Sequence, residues 1–196
     1  KNPCAVYTWI YRCAGAKIRS ISYLATIYCI SASMTESDLI IREIKKSEIP
    51  LLKKFTYTAI YVPQGAQKPH KSIVELPELK IYYENFGTKA ADICLVAETG
   101  GKLVGAVWTR IIDDYAHIDE NTPSLAIAVE EEYRSKGIGV RLLLEILRKL
   151  NETGFSAVSL SVQKENFAVK LYEKAGFKVV KQNGGELVMV KALQYK

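Results

Sequence analysis

The chain reads as a mixed α/β domain whose sheet holds at least one parallel strand pair, on three observations. From Leu39 onward, short branched-apolar segments alternate with segments of helical period. Turn-forming residues stand at the joints. A short strand ending at Val129 reaches a second strand at Val158 through a helical crossover, the connection that parallel strands require.

Leu39-Ile40-Ile41-Arg42-Glu43-Ile44 is rich in branched residues and reads as the first strand. Ser47 then stands where it caps a helix whose third residue is Pro50, tolerated because first-turn N–H groups have no intrahelical partner. The apolar stripe of that helix is Ile49, Leu52, Phe55, Ala59 and Ile60. An irregular stretch through Val62-Pro63-Gln64-Gly65 and Lys68-Pro69-His70 leads to a helix predicted over 77–86 and closed by Gly87. Residues 93–98 and 103–112 read as a hairpin about Thr99-Gly100-Gly101-Lys102. A polar loop over 113–123 precedes the strand Leu125-Ala126-Ile127-Ala128-Val129. Beyond a glycine-containing loop, Leu143, Ile146, Leu147 and Leu150 mark a strong helix, with Gly154 past its end. Val158, Leu160 and Val162 alternate as a strand, residues 166–175 form a last helix stopped by Gly176, and 177–181 pairs with 187–190 across Asn183-Gly184-Gly185.

With 196 residues, 48% of them hydrophobic, the chain has the material for one substantial core and not for two. Its net charge of +6 is unevenly placed. Residues 1–33 hold Lys1, Arg12, Lys17 and Arg19 and no acid, which leaves 23 basic residues against 21 acidic ones, or +2, from Met34 onward. So weak a bias argues against nucleic acid as a partner. Cys4, Cys13 and Cys29 lie in the leading segment and Cys94 in the apolar run 93–97. No metal-ligand spacing or disulfide framework is visible, and Cys94 reads as a small buried hydrophobe in a reducing, cytoplasmic setting.

The first 33 residues read as a leader outside the native catalytic domain, which is taken as a single domain over 34–196, with Met34 as its natural start. The basic stretch, the apolar run over 21–30 and the triplet Ser31-Ala32-Ser33 also resemble a secretory or transit segment. That run is too short for a bilayer span, so no membrane association is expected.

Val129-Glu130-Glu131-Glu132-Tyr133-Arg134-Ser135-Lys136-Gly137-Ile138-Gly139 runs from a strand through a loop into a helix. Two positions without side chains let a ligand approach the backbone, and the first-turn N–H groups point at it unpaired. Helix dipole and nest geometry both favour an anion there, and Arg134 and Lys136 add positive charge. The loop lacks the spaced glycine and Lys-Ser/Thr pair of a Walker loop and the third glycine of a dinucleotide fingerprint.

With this loop in place, the sequence resembles the GNAT superfamily of N-acetyltransferases. Arg134-Ser135-Lys136-Gly137-Ile138-Gly139 matches that family's pyrophosphate pattern, and residues 160–177 resemble its strand-Asn-helix-Tyr-Gly-Phe segment, with Asn166, Tyr172, Gly176 and Phe177 in place. The resemblance covers about residues 39–193. It implies an acyl-CoA N-acyltransferase fold: a central, mixed, mostly antiparallel sheet with one splayed parallel pair, flanked by helices. It also implies acetyl-CoA as the cofactor, CoA as product, and a small-molecule amine, amino acid or peptide as acceptor. Direct attack of the amine in a ternary complex is the implied mechanism.

By the same resemblance, Ile127, Ala128 and Val129 bind the pantetheine arm, and a backbone N–H near Val129 is the candidate oxyanion donor. Arg134, Ser135, Lys136, Gly137, Ile138, Gly139 and Val140 cradle the pyrophosphate. Asn166 bonds the pantetheine arm or neighbouring backbone, Lys170 or Lys174 reaches the phosphoadenosine end, and Tyr172 protonates the departing thiolate. Many relatives carry a carboxylate at the start of the strand before the loop, where this chain reads Thr122-Pro123-Ser124. His117 is therefore the catalytic candidate for the base, beside Asp119, Glu120, Glu98 or a water relay. Tyr57, Tyr61 and His70 supply the acceptor side. The competing reading is a non-catalytic acyl-CoA-binding or sensor module of the same fold, against which Asn166 and Tyr172 weigh. A homodimer is compatible with such folds.

Overall fold

The computed structural model describes residues 39–193; the leader reading of 1–33, and with it Cys4, Cys13 and Cys29, lies outside the described residues. The chain enters through strand β1 (Ile40–Glu43), a 3-10 turn (Lys46–Leu51) and helix α1 (Leu52–Ala59). A second 3-10 turn (Lys71–Glu75) leads to a one-turn helix α2 (Pro77–Lys80). Then come β2 (Ile93–Thr99), β3 (Lys102–Arg110), β4 (Ser124–Val129), helix α3 (Ile138–Glu152), β5 (Ala157–Gln163), α4 (Ala168–Lys174), β6 (Lys178–Asn183) and β7 (Glu186–Ala192). The described strands form one seven-stranded sheet in the order β1-β2-β3-β4-β5-β7-β6. All neighbours are antiparallel except β4 and β5, which are parallel, as the crossover through α3 requires.

Each face of the sheet buries a different helix. Cys94, Val96, Ala106, Trp108 and Ala128 form one cluster with Leu52 and Phe55 of α1. On the opposite face α3 buries Ile138, Leu142, Leu143, Ile146, Leu147 and Leu150, a gross contribution on the order of 10 kcal/mol at ~1.5–3 kcal/mol per side chain. A Cβ built on Gly105 of β3 would stand 3.0 Å from the Ala128 carbonyl and 3.1 Å from Leu142 Cδ1, so Leu142 of α3 packs on the sheet where the sheet has no side chain. Cys94 is buried, and burial pushes its thiol well above the ordinary range.

Two local expectations are corrected. Ser47 does not cap α1: the chain opens in a 3-10 turn holding Pro50, and Glu48 reaches back to accept the Lys45 N–H at 2.9 Å. The helix expected over 77–86 stops at Lys80, because the Ile81, Glu84 and Asn85 carbonyls turn to accept from Arg110 rather than continuing the helical ladder. Among the described residues, no helix is long and apolar enough to cross a membrane.

Candidate active site

The site begins where the parallel pair fails. β4 and β5 share one ladder position, Ser124 opposite Ser159, with the Ser159 N–H donating to Pro123 at 3.0 Å. Beyond it β4 stays with β3 to Val129 and β5 stays with β7 to Gln163, so the two strands diverge. The Pro123 and Val129 carbonyls both face this gap, the latter accepting from Arg134 Nε at 3.0 Å. With the two-residue alternation of a strand, the N–H and C=O of Ile127 and Val129 face it too, with no strand ladder to pair them.

At its upper end the gap meets the N-terminus of α3. Ser135 (φ 60°) and Gly137 (φ 79°) are both left-handed, which turns successive N–H groups into one concavity, and among the described residues no side chain caps the helix. Gly139 and Ser135 line the cleft, while Gly137 sets the turn. Ile138 is packed into the core, so only its backbone is on offer, and the Lys136 ammonium rests 5.1 Å over the Tyr133 ring. Val140 is half-buried in the first turn of α3. Arg134 folds back, its Nη2 also donating to the Thr58 carbonyl at 3.3 Å.

Ile127, Ala128, Val129, Asn166 and Tyr172 line the same cleft, whose volume is about 1300 Å³. The Asn166 carboxamide oxygen accepts the Ala168 N–H at 2.9 Å, a local turn that leads the chain into α4. Tyr172 is held at the other end of α4: left-handed Gly176 (φ 91°) ends the helix, and Phe177 N–H returns to the Tyr172 carbonyl at 3.0 Å. The two rings meet edge to face, 5.9 Å apart. Burial alone pushes the Tyr172 hydroxyl up to about 12, so it keeps its proton at neutral pH. Lys170 and Lys174 are exposed on α4 and do not line the cleft.

On the acceptor side Tyr57 and Tyr61 line the cleft. Tyr57 donates to the Pro69 carbonyl at 2.7 Å and Tyr61 to the Glu165 carbonyl at 3.2 Å, while Lys68 pairs with Glu131 at 2.6 Å. Residues 58–70 thereby strap the cleft mouth through part-buried and exposed contacts, the solvent-screened ion pair being the weakest of them. His70 is not in the cleft; its ring caps the 3-10 turn through Ser72.

His117 lies elsewhere than expected. Its Nδ1 is 3.1 Å from the Ile112 carbonyl, and it lines a separate cavity of about 270 Å³. Asp119 caps the turn at Asn121, and Glu98 pairs with Arg42 at the far edge of the sheet. Among the half-buried carboxylates that line the main cleft, beside Glu130 and Glu186, is Asp114, which also borders the smaller cavity. Its Oδ1 accepts from Ser124 Oγ at 2.8 Å and from Ala116 N–H at 3.0 Å, and its Oδ2 from the Tyr82 hydroxyl at 2.8 Å. Burial pushes the Asp114 carboxyl above the usual carboxylate range, against the opposing pull of its Ser124 and Tyr82 donors. Sequence reasoning missed it: the only local signal is the Asp-x-Ala turn, and nothing local ties the loop to Ser124.

A strand-shaped gap leading from an anion cradle to a proton-bearing tyrosine is the build of a protein that can hold a phosphate-bearing chain alongside its sheet. The chain belongs to the Acetyltransferase (GNAT) family, whose model matches residues 61–177. It is 37% identical over 95 residues to an N-alpha-acetyltransferase of Sulfurisphaera tokodaii, covering 44% of this chain and 56% of that protein. It is 30% identical over 96 residues to a mycothiol acetyltransferase of Propionibacterium freudenreichii, covering 48% of this chain and 30% of that one. The chain thus spans between about a third and just over half of these relatives' lengths. Among solved structures, a GNAT-family acetyltransferase from Streptococcus pneumoniae superposes with a TM-score of 0.59 at 21% identity, over 80% of this chain and all of the other. The PaiA N-acetyltransferase of Thermoplasma acidophilum in complex with coenzyme A gives 0.56 at 21% identity, over 79% and 98%. At these identities the likenesses show the fold.

Proposed function

We propose that this chain transfers an acetyl group from acetyl-CoA to a primary amine of a small molecule, an amino acid or a peptide N-terminus, by direct attack in a ternary complex. The observation that carries the reading is the gap between β4 and β5, which runs from the uncapped start of α3 to Tyr172. Bound acetyl-CoA supplies the activated acetyl thioester. The backbone groups of Ile127 and Val129 take the place of a missing ladder by hydrogen-bonding its pantetheine amides. The N–H groups of the loop over 134–140 hold its pyrophosphate, with Arg134 and Lys136 offering charge beside them. Tyr172, protonated and buried, donates its proton to the departing thiolate. The relatives are named as an N-alpha-acetyltransferase and a mycothiol acetyltransferase, which is why the acceptor is kept to the class of small molecules, amino acids and peptides, and a cytoplasmic setting belongs to the same reading.

Isothermal titration of acetyl-CoA into the full chain tests the cofactor, followed by thiol-release assays over an amine and peptide panel. A folded protein that fails to bind acetyl-CoA overturns the reading. Tyr172→Phe is expected to slow turnover by about 10–100-fold without abolishing it, because a thiol with a pKa near ~8.5 departs with little help. The edge-to-face contact with Phe177 survives this change, so thermal stability stays put. An unchanged turnover rate removes Tyr172 from the chemistry.

A further inference from the structure

An amine that attacks a thioester must first lose the proton it carries at neutral pH, and the cleft needs a group to take it. We propose that Asp114, delivered from the β3–β4 loop to the start of β4, binds the acceptor ammonium and accepts its proton. This rests on the acetyl-transfer reading above and gives it a base.

The placement supports the assignment in three ways. Asp114 lines the same cleft as Tyr172, so donor and acceptor groups open on one space. Its carboxylate is fixed from three sides, by Tyr82, Ser124 and the Ala116 N–H, and among the described residues Oδ2 takes only the Tyr82 hydroxyl, which leaves it a lone pair for a further donor. Tyr82 cannot compete as the base: burial first, and then the Asp114 charge, push its hydroxyl far above the ordinary tyrosine range, so it stays a donor. Raised by burial, the Asp114 carboxyl is a stronger base than an exposed aspartate. Ser124 explains the departure from the expected pattern, since the strand start carries a hydroxyl that fastens a carboxylate from another segment.

The protons balance. Asp114 takes one proton from the ammonium and later yields it to solvent. The freed nitrogen forms the C–N bond as the C–S bond breaks, and the second proton it loses offsets the one that Tyr172 gives to the thiolate.

The test titrates n-butylammonium into the full chain loaded with CoA and follows the Asp114 carboxyl carbon by NMR. The expected result is a shift of that resonance on binding and at least a tenfold loss of affinity in Asp114→Asn, which keeps the shape and the Ser124 bond. With acetyl-CoA and n-butylamine, Asp114→Asn is expected to lower kcat/KM by about 100-fold at neutral pH. The deficit narrows as pH rises toward the amine's own pKa, and CoA affinity does not change. Asp113, Tyr82, Tyr115, His117, Lys181 and Glu186 are the titratable groups around Asp114. Tyr82→Phe removes the donor that holds the Asp114 carboxyl down, so the acid limb of the rate profile moves to higher pH. A silent Asp114 resonance, or equal amine affinity in Asp114→Asn, overturns the proposal. Failure of CoA to load overturns the acetyl-transfer reading as well, so the two failures are distinct.

Discussion

Gly139→Glu lowers acetyl-CoA affinity by more than about 100-fold while leaving the protein folded. Gly139 is the second residue of α3 and lines the cleft, and a Cβ there meets only Val129 Cγ2 at 3.8 Å. The substitution therefore fits the protein and intrudes on the ligand. A carboxylate in the first helical turn is favoured by the helix dipole at ~0.3–1 kcal/mol, so the fold gains if anything. The same charge occupies the anion cradle, and losing two charge-assisted hydrogen bonds at ~1.5–3 kcal/mol each weakens binding by two orders of magnitude or more. Gly137 is the poorer choice for this test, because its φ of 79° would add backbone strain of ~1–2 kcal/mol to any side chain. Calorimetric titration beside a thermal melt checks the prediction, and retained micromolar binding would remove the pyrophosphate from this loop.

Arg110→Met lowers unfolding stability by about 3–5 kcal/mol, because it leaves the Asp92 charge buried without its cation. The Arg110 side chain is 6% exposed and that of Asp92 is fully buried, with Nε to Oδ1 at 2.9 Å and Nη2 to Oδ2 at 3.2 Å. The same guanidinium donates to the carbonyls of Ile81, Glu84 and Asn85, and its Cζ lies 5.4 Å over the Phe86 ring. Asp92 in turn accepts from the N–H groups of Gly87, Thr88 and Lys89. One buried pair thus fixes the whole segment from Ile81 to Lys89. Tyr82 lies in that segment, with its carbonyl on Trp108 Nε1 and its hydroxyl on Asp114, so the same substitution loosens the proposed base. Urea unfolding reads the first effect, and a loss under 1 kcal/mol would show that the segment holds by packing alone.

The strands and the two longer helices were legible because their signals are local. The hairpin over 93–110 follows from Gly100 and Gly101, which both take positive φ in the turn between β2 and β3. The period of Leu143, Ile146, Leu147 and Leu150 gave α3, and the crossover it makes gave the parallel pair. The spacing of Tyr172, Gly176 and Phe177 is a helix stop that folds back on itself, again a matter of adjacent residues. Where a long-range partner overrode local preference, the reading failed: Arg110 claimed the carbonyls that a helix over 81–86 would have used.

The sequence by itself determined the sheet's composition, the glycine-containing turn before α3 proposed as an anion cradle and the candidate Tyr172, each written in residues a few positions apart. Only the tertiary structure brought Asp114 to the cleft. Asp114, Ser124 and Tyr82 are separated by up to 42 positions and carry no shared pattern; they meet because α3 and the sheet fix β4 while the Arg110–Asp92 pair fixes the segment bearing Tyr82. His117, three residues from Asp114, shares the smaller cavity with it but does not line the main cleft, since a loop's direction is set by what it packs on and not by its own sequence.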